Sequence, residues 1–271
     1  TRYIGDWSSD VCSSDLTNDL KEHSSAPDDK RSKYEAYKEH LESLQKVYAE
    51  RCKADYILIN TEIRDYVDVN LEKLIALQDF VKEGYDEVCY LDFDVVPNTN
   101  KNVFEELDLS KINALSLERS YVGQVRGERL QFLFDNDAFD ERNVYVKTCA
   151  KNAMLQLEDK DTSPILYNTG VVTAGKEVIK NLSFEERLQE CKDTLDEAKE
   201  DSLYPEEISK YFCYNNEVFI TYIIEKYGVP HHNTGDAWNY ILDKRRPGMP
   251  DHTVIAHLIH HVNKNFEYSF G

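Results

Sequence analysis

The sequence predicts an α/β fold built on a parallel sheet with helical crossovers. Helical apolar periodicity alternates with short apolar runs through the first third of the chain, the rhythm that crossover connections impose. Residues 88–97 (Val-Cys-Tyr-Leu-Asp-Phe-Asp-Val-Val-Pro) form an apolar run that ends in two aspartates one residue apart. Open α/β sheets bind ligands beyond the carboxyl ends of their strands, which is where this pair falls. The length, 271 residues, suits one large α/β domain or two small ones.

Each element has its own signal. Tyr34, Tyr37, Leu41, Leu44 and Tyr48 recur at steps of three and four, an amphipathic helix. Residues 54–60 (Ala-Asp-Tyr-Ile-Leu-Ile-Asn) form a short apolar run, read as a buried strand. Residues 70–83 read as a second helix, with Leu71, Leu74, Ile75 and Gln78 on one face and Gly84 as its stop. The strand bearing Asp92 and Asp94 follows, then a strand over residues 114–117. Residues 120–160 read as irregular, aromatic and charged. Strand character returns over residues 167–172, with Gly170 as an interruption. Residues 184–201 read as a solvated acidic helix, and residues 218–227 as an apolar helix stopped by Gly228 and Pro230. Residues 238–242 and 254–257 close the chain as short strands.

The chemistry lies in the aspartate pair. Side chains alternate along a strand, so Asp92 and Asp94 face one way and Phe93 the other. Two carboxylates aimed together repel unless a cation lies between them. Hard oxygen ligands suit Mg²⁺ or Mn²⁺, with substrate phosphates completing the coordination. Two solvated acids at a strand end are the bland alternative.

Composition narrows the function. The formal net charge of −19 argues against a nucleic-acid binder, because phosphate backbones need a basic face. A nucleotide ligand is compatible with it, since metal, lysine and arginine can meet that charge locally. No run of eighteen or more apolar residues is present, so no transmembrane helix is expected. The six cysteines form no Cys-x-x-Cys pair and read as free thiols of a reducing, cytoplasmic compartment.

Residues 6–16 (Asp-Trp-Ser-Ser-Asp-Val-Cys-Ser-Ser-Asp-Leu) resemble the conceptual translation of a sequencing-library adapter. This reading sets residues 1–16 apart as a non-native, disordered segment and residues 17–271 as one N-terminally truncated domain whose first strand is missing. A natural targeting signal upstream then stays open, as does a peripheral membrane location.

Four further features accompany the aspartates in order: Asn168-Thr169-Gly170, Asn216-Glu217, Trp238-Asn239, and His257 followed by Lys264. The series resembles the metal-dependent glycosyltransferases of the GT-A fold, and is most similar to the retaining family eight of glycogenin and galactosyltransferase-like enzymes. The resemblance spans about residues 54–264. It implies a Rossmann-like mixed sheet flanked by helices, a nucleoside diphosphate sugar as donor (UDP-linked), and Mn²⁺ or Mg²⁺. It implies a glycan, lipid or protein as acceptor. It makes Asp92, Asp94 and His257 metal ligands, with Asp92 also near the ribose. Phe93 lies within that donor-binding motif. Lys73, Gly170 and Lys264 fall at donor-binding positions, Asn168 beside the sugars, and Asn216-Glu217 near the reacting carbon. The chain departs from the family in two places. The acid of Asn216-Glu217 is second rather than first, and the segment after His257 lacks a glycine and is one residue longer, which makes His260 a competitor for the ligand role.

Other readings stay open. His257, His260 and His261 are zinc-ligand types, although no His-Glu-x-x-His or thiolate cluster accompanies them. An EF-hand counted from Asp92 is excluded, since Pro97 and Val103 stand where glycine and glutamate are required. A haloacid dehalogenase-like phosphatase would use Asp92 as nucleophile and Asp94 as acid-base. A sugar nucleotidyltransferase and a non-catalytic sugar- or nucleotide-binding relative are the remaining alternatives. Asn168-Thr169-Gly170 also reads as a plain turn or bulge.

Overall fold

A computed structural model of the protein describes residues 2–7, 28–59, 69–92, 94–117, 139–201, 204–241 and 250–258. The described residues form two units. The first takes residues 1–115, 169–180 and 231–271, and the second residues 116–168 and 181–230.

The first unit is a mixed sheet with helices. Its strands are β1 (Arg2–Trp7), β2 (Asp55–Ile59), β3 (Glu87–Asp92), β4 (Val95–Pro97), β5 (Ile112–Ser116), β6 (Tyr167–Gly175), β7 (His231–Asn233), β8 (Tyr240–Ile241) and β9 (Ile255–His257). Six of them form one sheet in the order β2-β1-β3-β6-β5-β7, and β4-β9-β8 form a second. β1 runs parallel to β2 and β3, while β6 is antiparallel to β3, so the sheet is mixed, as the resemblance implies.

The segment that the sequence reading sets apart as non-native contributes a strand to this sheet. Arg2–Trp7 lies between β2 and β3, with Gly5 opposite Ile57 on one side and Tyr90 on the other. Its six residues, Arg-Tyr-Ile-Gly-Asp-Trp, mix charged, aromatic and aliphatic types with no apolar run, so the strand leaves little signal in sequence. Its stabilisation comes from backbone pairing on both edges, which would otherwise leave the facing groups of β2 and β3 unsatisfied at about 1–3 kcal/mol each where buried. β2 itself is half-exposed rather than buried, because it is the outer strand of this sheet.

Helix α1 (Asp28–Arg51) packs on β2 and β4. Its buried face carries Leu41, Gln45, Tyr48 and Ala49, with Leu44 only half-buried, so a polar residue occupies the stripe where an apolar one was expected. Helix α2 (Val69–Lys82) buries Leu71, Leu74, Ile75 and Gln78 as its pattern predicts. Gly84 ends it at φ +106°, a conformation that costs any residue with a Cβ. The short helix α3 (Val103–Glu106) is capped by Asn102, whose side chain accepts from the Phe104 N–H. Tyr48, Cys89, Leu91, Val95, Trp238 and Ile255 share the core beneath the aspartate-bearing strand.

The second unit is helical. Helix α4 (Phe139–Leu157) packs against helices α6 (Phe184–Glu200), α7 (Glu206–Ser209) and α8 (Asn216–Tyr227); the short helix α5 (Lys176–Leu182) precedes α6. Helix α4 corrects the irregular reading of residues 120–160 where it lies, and residues 118–138 lie outside the described residues. It packs against several helices, so its buried surface is wide and takes in Thr148, Lys151 and Asn152. A single 3.6-period stripe is therefore absent from its sequence. The Lys151 ammonium is fully buried and is held by Glu225 at 2.8 Å and by Ser163 at 2.9 Å. Burial pulls its pKa below the usual lysine value, and Glu225 works against that pull. α6 is acidic outside, as expected, but it buries Phe184, Leu188, Cys191 and Leu195 and is not merely solvated. α8 stops at Gly228, φ +64°, as predicted. Cys52, Cys89, Cys149, Cys191 and Cys213 are free thiols. Among the described residues, no helix is long and apolar enough to cross a membrane.

Candidate metal centre

β3 delivers Asp92 at its carboxyl end, Asp94 stands in a turn before β4, and β4 leaves antiparallel to β9. In that pairing Val95 stands opposite His257, which brings the histidine to the aspartates. The Leu258 N–H donates to the Asp94 carbonyl at 2.9 Å and fastens the turn to β9. Asp92, Asp94 and His257 each offer one ligand atom, and these atoms lie within 4.8 Å of one another.

His257 Nε2 is 3.2 Å from Asp94 Oδ1 and 3.8 Å from Asp92 Oδ2. Ligands about 2.1 Å from an octahedral ion sit roughly 3 Å apart when adjacent and roughly 4.2 Å apart when opposite. The observed spacings fall within that window. Two carboxylates and one imidazole are a donor set for Mn²⁺ or Mg²⁺ rather than for a thiolate-seeking ion. Among the described residues no cysteine joins the cluster, and His260 and His261 lie outside the described residues.

The electrostatics of this cluster are balanced. Lys73, on α2, places Nζ 2.9 Å from Asp92 Oδ1 and 3.3 Å from Oδ2. The Tyr90 hydroxyl donates to Asp92 Oδ1 at 2.7 Å, and the Lys73 ammonium sits 5.3 Å from the Tyr90 ring centroid. Burial would raise the Asp94 carboxyl, but the facing His257 holds it below the usual carboxylate range. Burial likewise disfavours a charged His257, and Asp94 with Asp92 overrides it and raises the imidazole pKa. His257 Nδ1 lies 3.2 Å from Asn239 Oδ1, on a fully buried side chain. If Nδ1 carries the proton and donates it there, Nε2 is left facing the carboxylates as a lone pair.

The structure thus brings together Asp92, Asp94, His257 and Lys73. Gly170 lies inside an unbroken β6, so it neither interrupts the strand nor makes a turn; with Val171 opposite Leu91, it comes next in line beside the end of β3. Phe93 and Lys264 lie outside the described residues. In the second unit, the Asn168 amide donates to Glu217 Oε1 at 2.7 Å. Lys147 Nζ pairs with Glu217 Oε2 at 2.8 Å. Asn216 is the first residue of α8 and is buried, while Asn215 caps that helix by accepting from the Glu217 and Val218 N–H groups. Sequence reasoning missed Tyr90, Gln45 and Lys147. Tyr90 shares the face of Asp92 by strand alternation, and Gln45 breaks an apolar stripe. Both are readable signals; Lys147 left none, because its helix was not recognised.

No protein-family model matches the chain, and no curated protein is similar to it. Several solved structures are. One is a glycosyltransferase involved in the glycosylation of the major capsid of PBCV-1, at 12% identity and a TM-score of 0.47 over 94% of this chain and 92% of that one. Another is mouse xyloside xylosyltransferase 1 in its apo form, at 15% identity and 0.41 over 76% and 75%. A third is the galactosyltransferase LgtC in complex with donor and acceptor sugar analogues, at 13% identity and 0.42 over 94% and 86%.

Proposed function

We propose that this protein is a metal-dependent glycosyltransferase of the GT-A, family-eight kind, moving a sugar from a UDP-sugar to a glycan, lipid or protein acceptor with retention of configuration. The observation that carries the proposal is the convergence of Asp92, Asp94 and His257 at the carboxyl end of a sheet strand, from positions more than 160 residues apart in sequence. Mn²⁺ or Mg²⁺ bound there supplies charge compensation for a leaving diphosphate. Asp92, Asp94 and His257 hold the ion, and Lys73 fixes the Asp92 carboxylate while adding a positive charge of its own. Asn239 keeps the His257 ring oriented.

Gly170 and Lys264 are assigned to the donor, with Phe93 in the same motif. Asn168, Asn216 and Glu217 are assigned to the sugars. The Glu217 carboxylate accepts from Lys147 and from the Asn168 amide. A reducing, cytoplasmic compartment fits the free thiols.

The test is donor hydrolysis by the purified chain, screened over nucleotide sugars with and without Mn²⁺. Mn²⁺-dependent release of UDP from one sugar nucleotide is the expected result. Binding of UDP and Mn²⁺ with no turnover on any donor or acceptor would make the protein a non-catalytic relative. Release of phosphate from simple phosphomonoesters would favour the phosphatase instead.

A further inference from the structure

We infer that Gln45 is a positioning residue for the cation site: its amide sets the shape of the turn that presents Asp92 and Asp94. The inference rests on the metal reading above. Gln45 lies on α1, is fully buried, and uses one nitrogen for two bonds. Nε2 donates to the Asp92 carbonyl at 3.0 Å and to the Val95 carbonyl at 2.9 Å. These carbonyls flank the turn, one leaving β3 and the other opening β4. The amide therefore pins the two ends of a four-residue span that holds both aspartates. The remaining carbonyl on this stretch with an assigned partner, that of Asp94, is held by Leu258 from the histidine strand.

The consequence is geometric. Metal coordination tolerates only small errors in ligand position, and the residues behind the ligands set that position. Asp92 is also held through its side chain by Lys73 and Tyr90, so its carboxylate has support independent of the turn. The Asp94 carboxylate faces His257, itself a candidate ligand, so its placement leans more on the backbone between β3 and β4. Loss of the Gln45 bonds should thus act on Asp94 first. The opposite end of the side chain has no comparable use: among the described residues, no donor reaches the buried Gln45 Oε1. The donor end is the part that matters, which suits Gln45→Met as the test, since it keeps the length and removes the donors.

The experiment is Mn²⁺ binding to the metal-free chain, followed by the electron paramagnetic resonance signal of the free ion, beside thermal melts of the same samples. Asn113→Ala serves as the control for plain destabilisation. Asn113 is buried and donates to the Asp108, Lys111 and Thr173 carbonyls, none of them on the turn. Gln45→Met should weaken Mn²⁺ binding at least tenfold at a temperature where it is folded. Asn113→Ala should melt lower and bind Mn²⁺ as the parent does. If Gln45→Met does not fold, Gln45→Leu, which also lacks the donors, gives the same reading. Affinity within twofold of the parent in a folded Gln45 variant would overturn the positioning role while leaving the cation site standing. A parent chain that binds no Mn²⁺ would overturn the cation site itself, and the role of Gln45 with it.

Discussion

Lys73 Nζ lies 2.9 Å from Asp92 Oδ1, and this ion pair gives the two aspartates different jobs. Asp92 is shared among a lysine, a tyrosine hydroxyl and His257, whereas Asp94 faces the imidazole. A positive side chain beside a cation site competes with the cation for the same carboxylate. Lys73→Met should therefore bind Mn²⁺ several-fold more tightly in the absence of nucleotide, a gain of about 1 kcal/mol. Donor binding should weaken at the same time, because a diphosphate loses a cation partner. Calorimetric titrations with Mn²⁺ alone and with Mn²⁺ plus UDP separate the two effects, and weaker Mn²⁺ binding in the variant would count against the competition.

Asp94→Asn keeps the size of the side chain and removes its charge. The metal-free fold should survive, since the Asp94 backbone is fastened by Leu258 rather than by the carboxylate. Turnover should fall by several kcal/mol in transition-state stabilisation, roughly a thousandfold or more. Near-parental rates in saturating Mn²⁺ would remove Asp94 from the ligand set.

Asn239→Leu should leave His257 free to rotate and to change tautomer. Replacing partners of this kind typically costs about 10–100-fold in metal affinity. His257→Ala should cost at least as much. Parallel Mn²⁺ titrations decide the matter: if His260→Ala weakens binding and His257→Ala does not, the register of the late motif is wrong by three residues.

How much of this was legible in sequence depends on what kind of signal each element leaves. Asp92 and Asp94 were readable because strand alternation and ligand chemistry point the same way. Helix α2 and helix α8 were readable because an apolar face meets a glycine stop, at Gly84 and Gly228. Helix α4 was not, because packing on several sides spreads its burial over Thr148, Lys151 and Asn152. β1 was not, because backbone pairing on both edges needs no apolar pattern. The nearness of Asn239 to His257 and of Gln45 to the turn is long-range, and a single sequence carries no signal for it beyond a polar residue in an apolar stripe.

Stability in acid should depend on Glu190. Lys226 bridges Glu158 and Glu190, and the Tyr227 hydroxyl donates to Glu190 as well. Burial opposes the charged form of Glu190, but Lys226 and Tyr227 prevail and hold its carboxyl below the ordinary glutamate value. A group with a lowered folded-state pKa contributes fully above its unfolded value, near pH 4.3. That contribution is lost as pH falls through the lower folded value. Glu190→Gln should therefore be less stable than the parent at pH 7 and should flatten the loss of stability below about pH 4. Denaturant melts from pH 7 to pH 3 check this; parallel pH profiles for the two proteins would remove Glu190 from the acid response.

Residues 1–16 provide the last test, because one reading makes them foreign and the structure gives six of them an interior strand. Gly5 is registered against Ile57 and Tyr90 at once. A proline there has no N–H to give and does not fit the middle of a sheet; the carbonyl left unsatisfied opposite it costs about 1–3 kcal/mol. Gly5→Pro should lower the melting temperature by roughly 5–10 °C for a chain of this size. Gly5→Ala keeps the N–H and should change it far less. Deletion of residues 1–16 should destabilise at least as much as Gly5→Pro, since β2 then loses its link to β3. Melts of the four proteins decide between the readings. If the deletion melts with the parent and Gly5→Pro is silent, the slot between β2 and β3 does not need this segment. If both fall together while Gly5→Ala holds, the strand is integral to the sheet whatever its origin, since what it contributes is backbone and not side-chain identity.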